Sequence, residues 1–145
     1  MISSKFLKVR FFSQEGFLEI VKLLVNKGAD VNVKTVNSIV KQRGKDYGDT
    51  ALIWASINGF DEVVKFLLGN NANPNIQNDS GNTALIFAAS KGHKKVVKSL
   101  LYTDVEVETK AKNGDTALSK ATEKGHTEIV KMLEDKIKKI YEKTG

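Results

Sequence analysis

The chain has 145 residues, 41% of them hydrophobic and 28% charged, which suits one domain with a buried core and argues against a disordered chain. It contains no cysteine, which excludes disulfides, thiolate catalysis, Cys-based zinc sites and thiol redox sensing, and fits an intracellular protein. The net charge of +6 comes almost wholly from lysine, since Arg10 and Arg43 are the only arginines. Scattered lysines more often solubilise a surface than read bases or phosphates.

In chain order, Met1 to Phe12 carries Lys5, Lys8 and Arg10 among its apolar residues, with no continuous apolar run after them, so no secretory signal is expected. No later run is long enough to span a membrane. Glu15-Gly16-Phe17 followed by Ile20-Val21-Lys22-Leu23-Leu24 is matched by Asn58-Gly59-Phe60 followed by Val63-Val64-Lys65-Phe66-Leu67. The pattern then returns at a fixed interval. Gly-x-Thr-Ala-Leu stands at Gly48 to Leu52, Gly81 to Leu85 and Gly114 to Leu118, 33 residues apart each time. Gly59-Phe60, Gly92-His93 and Gly125-His126 keep the same step, as do Val63-Val64, Val96-Val97 and Ile129-Val130. Three markers on one period define a repeat architecture.

Each unit predicts a turn, a helix, a short loop, a second helix and an extended loop. Thr50, Thr83 and Thr116 are placed to cap the first helices, and Gly59, Gly92 and Gly125 to end them. Val63, Val64, Leu67 and Leu68 share one face of a second helix, and Val96, Val97, Leu100 and Leu101 repeat it. Trp54 and Phe87 give way to Lys120 in the final unit, and Leu68 and Leu101 give way to Glu134, as an uncovered end requires. The last helix is predicted to run long, with Ile129, Leu133, Ile137 and Ile140 on one face and Glu134–Lys138 and Asp135–Lys139 pairs on another. At the opposite end Phe11 and Phe12 stand where later units carry Trp54-Ala55 and Phe87-Ala88, and Leu7 and Val9 are apolar. A degenerate capping unit is expected there, the competing reading being a face that docks a partner or a second copy of an otherwise monomeric chain.

These motifs, with Gly28-Ala29-Asp30-Val31-Asn32, resemble the ankyrin repeat, whose consensus contains Gly-x-Thr-Pro-Leu-His, then Gly-His, then Leu-Leu and Gly-Ala-Asp-Val-Asn. The resemblance implies an all-α solenoid of stacked helix-turn-helix units with extended hairpin-like loops, about four repeats including divergent ends. The units expected are 1–34 as a divergent first repeat, 35–45 as an inserted loop, 46–77 and 78–110 as full repeats, and 111–145 as a C-terminal cap. The chain departs from the consensus at Thr-Pro-Leu-His, where Ile53, Ile86 and Ser119 replace the histidine and its hydrogen bonds. The third loop reads Asp104-Val105-Glu106-Val107-Glu108 in place of Gly-Ala-Asp-Val-Asn.

The resemblance also implies binding of a partner protein through the loop tips and the concave face of the first helices. Carried onto this sequence, the tips are Asp46, Tyr47 and Asp49, then Asp79, Ser80 and Asn82, then Lys112, Asn113 and Asp115. The helical contributions are Ile57 and Asn58, Ser90 and Lys91, and Glu123 and Lys124. Tyr47 and Ile57 are expected to be exposed anchors. Ten residues more than in the later unit lie around Thr35 to Lys45, where Lys41 and Arg43 beside Ile39 and Val40 suit an acidic partner; drift in a tolerant surface loop is the competing account. No constellation of reactive groups, Walker loop or dinucleotide fingerprint occurs, so no enzyme, cofactor or metal is expected, and His93 and His126 read as structural because they recur with the repeat. Nucleic-acid binding through Lys94, Lys95, Lys98 and the lysines of the last helix is the alternative, at a sequence pI near 9.4. Glu128, Glu134, Asp135 and Glu142 interleave those lysines, as on an ordinary solvated face.

Overall fold

A computed structural model describes residues 14–35 and 48–145, and among them the chain forms seven helices and no strand. They are α1 (Gln14–Asn26), α2 (Ala51–Ile57), α3 (Asp61–Gly69), α4 (Ala84–Lys91), α5 (Lys94–Leu101), α6 (Ala117–Glu123) and α7 (Thr127–Thr144). Phe11, Phe12 and the apolar residues before them lie outside the described residues.

The local signals act as expected at the helix starts. Thr50, Thr83 and Thr116 are extended N-caps whose Oγ1 atoms accept from the amides of Ile53, Ile86 and Ser119 at 3.2, 3.3 and 3.0 Å. At the last of these, Ser119 Oγ also accepts from the Thr116 amide, closing a capping box. The serine that replaces the consensus histidine therefore supplies a hydrogen bond of its own. Gly16, which matches Gly59 in sequence, lies inside the first turn of α1. In a first turn the amides lack helical partners anyway, which lowers the cost of a glycine there.

The helices pack in two layers. First helices α2, α4 and α6 contact one another in sequence, and so do α1, α3, α5 and α7. Ala55, Ala88 and Ala121 are fully buried and allow close approach in the first layer. Val64, Val97, Leu67, Leu100 and Leu133 fill the space between layers. Trp54 stacks against Phe17 and Phe60 at centroid distances of 4.6 and 5.4 Å, joining α1 to the α2–α3 pair. The far end turns polar as expected: Glu134 is exposed and Lys120 only half-buried. Along α7, Ile129 and Leu133 are buried, Ile137 packs partly on the core and Ile140 is exposed. Lys138 approaches Glu142 at 4.0 Å, so the pairing differs from the Glu134–Lys138 expectation. Tyr141 donates to Glu108 at 2.9 Å, a bond that raises the phenol above its usual pKa and ties the long helix to the last loop.

Polar bonds key one unit to the next with a fixed geometry. Asn32 Nδ2 donates to the Asn71 carbonyl and Asn32 Oδ1 accepts from the Asn73 amide. Asn75 makes the same two bonds to the Asp104 carbonyl and the Glu106 amide. The first pair spans 39 and 41 residues, the second 29 and 31. The insertion accounts for the whole difference. Its two ends are closed by the Thr35 amide donating to the Asp49 carbonyl, the bond that Asn78 makes to Asn82 and Ala111 to Asp115. Asp61 is keyed across units as well. Burial alone would raise its carboxyl, but bonds from Lys65 and Ser99, with the charges of Lys65 and Lys95, hold it below the usual range.

His93 and His126 fill the space behind the glycine turns. His93 Nε2 lies 2.9 Å from the Ile57 carbonyl and His126 Nε2 3.1 Å from that of Ser90; a carbonyl only accepts, so these nitrogens carry the protons. A Cβ on Gly59, whose φ is +72°, would stand 2.7 Å from the His93 ring.

Two outcomes follow for stability in denaturant. Gly59→Ala should cost roughly 2 kcal/mol or more, combining left-handed strain with the ring clash. Gly28→Ala, equally left-handed but with open space around it, should cost about 1 kcal/mol; equal losses would contradict the packing. Ser56 is wholly buried, its Oγ has no partner, and Ala89 stands at the same place in the next unit. Ser56→Ala should therefore stabilise by about 1 kcal/mol, the cost of an unsatisfied hydroxyl, and a loss of stability would refute that account.

Candidate functional site

The extended loops precede the starts of the first helices, and hydrogen bonds connect their tips in a row. The Lys112 amide donates to the Ser80 carbonyl at 3.0 Å, joining the second tip to the third. Gly81 permits this approach, since a Cβ there would lie 2.7 Å from the Lys112 nitrogen. The first tip is held to the second by Asn78, whose Nδ2 donates to Asp49 Oδ1 at 3.0 Å. Asn78 Oδ1 accepts from the Ser80 and Asn82 amides, so one buried side chain shapes its own turn and ties it to the preceding one.

Asp49 is a correction to the sequence reading. It is only 4% exposed, turned inward onto Asn78, and offers no free carboxylate at a tip. Ile57 also differs from expectation. It is half-buried against the core, while its carbonyl receives His93. Ile57 is the last residue of α2. Asp46, Tyr47, Lys41 and Arg43 lie outside the described residues.

The other expected positions lie on the tips before the first helices and at the C-terminal ends of those helices. Asp79, Lys112 and Asn113 are exposed on the tips, with Ser80, Asn82 and Asp115 half-buried between them. Asn113 Nδ2 donates to Asp115 Oδ2 at 2.8 Å, and the Asp115 amide donates back to Asn113 Oδ1. Asn58, Lys91 and Lys124 are exposed at the ends of the first helices, and Asn58 Nδ2 caps α2 by donating to the Trp54 carbonyl.

Lys120 plays a part that the sequence reading, which took it as a polar end residue, did not assign. Its ammonium donates to Glu123 at 2.7 Å and stands 3.6 Å from Asp115, bridging the third tip to α6. The bond to Glu123 holds Lys120 above the usual lysine range and Glu123 below the usual carboxylate range. Lys124 reaches Glu123 from the other side at 3.4 Å. The result is a surface of alternating charge on a hydrogen-bonded frame. Among the described residues no three His, Asp or Glu side chains come together as a metal site, and no helix is long and apolar enough to cross a membrane.

A family model described as ankyrin repeats (3 copies) matches residues 10–78 and again 52–143. Together the two matches take in six helices and all but the last residue of α7, with the loops that carry the row of tips, and the chain belongs to the ankyrin-repeat family.

Proposed function

We propose that the chain is a non-catalytic module that binds a partner protein along the row of loop tips and the adjoining ends of the first helices. Ankyrin repeats are generally protein–protein interaction modules. The observation that carries the finer reading is the hydrogen-bonded row itself. Asn78 and the Lys112–Ser80 backbone bond fix the tips relative to one another, so Asp79, Lys112 and Asn113 present their side chains from a frame already in place. A preformed frame reduces the ordering cost of association. The Thr35–Asp49 backbone bond that closes the two ends of the insertion lies at this same row, and the basic residues of the insertion, Lys41 and Arg43, belong to the same proposal.

Immobilised protein, incubated with nuclease-treated lysate of its source, tests the reading beside an Asp79→Lys/Lys112→Glu variant. Both side chains are exposed, so the variant should fold with stability within about 0.5 kcal/mol of the parent. The expected outcome is a protein retained by the parent at moderate salt and depleted at least about tenfold on the variant, as for loss of central charge contacts. Retention that ignores the variant would place binding elsewhere. Retention of nucleic acid alone, from untreated lysate, would transfer the function to the lysine-bearing second helices.

A further inference from the structure

The second helices form a row of grooves, and one of these is unlike its neighbour. On α3, Lys65 pairs with Asp61 at 2.9 Å and with Glu62 at 3.5 Å, Ser99 of α5 donates to Asp61 at 2.7 Å, and Gly69 ends α3 with open space around it. One unit later, between α5 and α7, each of these places has changed. Lys98 stands for Lys65, and the two acids before it have become Lys94 and Lys95. Gly69 is replaced by Tyr102, and Ser99 by Met132.

The changes act together. Tyr102 caps α5 and is 81% exposed. Leu101 and Met132 are half-buried beside it and line the same groove. Lys136 is committed to the wall, donating to the Leu101 carbonyl at 2.8 Å and so satisfying the C-terminal end of α5. Lys98 and Lys139 flank the groove, and among the described residues neither has a carboxylate within ion-pair distance, although Asp135 lies on the same rim. An aromatic ring over an adaptable methionine floor is the composition of an apolar anchor pocket, and the two free ammonium groups set the charge of its occupant.

We propose that this groove binds an acidic peptide segment of a partner protein, seating one apolar side chain beside Tyr102 while flanking carboxylates meet Lys98 and Lys139. The site lies on the second helices and is independent of the row of tips. Nucleic acid fits it less well. The apolar floor offers nothing to a phosphate backbone, Asp135 opposes one, and Lys94 is already paired with Glu128, so the basic tract is interrupted.

Titration of the isotope-labelled full chain with a short synthetic peptide of Glu and Asp around a single leucine tests the site. The same peptide with serine for leucine, and an oligothymidylate of similar length, serve as the other arms. Amide shifts should concentrate at Lys98 to Thr103 and Met132 to Lys139. The leucine peptide should bind at least about tenfold more tightly than the serine peptide, as burial of one aliphatic side chain implies. Tyr102→Ala should remove that preference, and Lys98→Glu/Lys139→Glu should abolish binding of both peptides; neither variant should release a protein held at the loop tips. Equal affinity for the two peptides, shifts centred on Asp79 and Lys112, or tighter binding of the oligothymidylate would each overturn the proposal.

Discussion

A pair of helices of seven to nine residues has too little interior to be stable alone, and every other feature of this chain answers that constraint. Two sides of each pair are apolar, and both are buried only when another pair lies on each. Alanine at positions 55, 88 and 121 lets the first helices approach closely, while valine and leucine fill the wider gap to the second helices. Hydrophobic burial is non-directional, so it would tolerate sliding of one pair past the next. The asparagine bonds at Asn32 and Asn75 and the buried Asn78–Asp49 contact remove that freedom, because each needs a specific carbonyl or amide opposite.

The same constraint explains the end of the array. Where the bridging asparagine would recur, Glu108 stands instead, and it receives the hydroxyl of Tyr141 from the prolonged last helix. Lys120 and Glu134 stand where an aromatic and a leucine would need covering. A stack finished in this way leaves two kinds of surface. The loop tips form a stiff polar row, and the outer helices are free to vary from unit to unit because their exposed positions have no stacking role. Function in such an architecture is a matter of surface, which is why the groove with Tyr102 can differ from its neighbour without disturbing the fold.

The period, the threonine caps, the glycine turns and the polar end were legible because each depends on a few residues at a fixed spacing. The structural role of His93 and His126 followed for the same reason. What sequence could not supply was the direction in which a side chain turns. Asp49 and Asn82 are equivalent by spacing, yet Asp49 is buried because the following unit offers it Asn78, and the unit after that offers Asn82 an alanine, Ala111. Ile57 counts as a surface position by period, but its apolar side chain packs partly on the core, where the equally placed Glu123 of α6 stays exposed. Gly16 matched Gly59 in sequence and lies within a helix. The groove between α5 and α7 was readable only as lysines; its apolar floor comes from two helices far apart in the chain.

The insertion interrupts one loop tip and leaves the stack unaltered, because the bonds from Asn32 and Thr35 match those of the uninterrupted units atom for atom. Deleting residues 36–45 and recording amide spectra and denaturant unfolding tests this directly. The stack predicts unchanged resonances from α4 to α7 and a gain of about 1 kcal/mol, the closure entropy of the shorter loop. Widespread shifts or loss of cooperative unfolding would show that the inserted residues belong to the fold, and the description of the chain as a regular stack carrying a loop at its row of tips would be wrong.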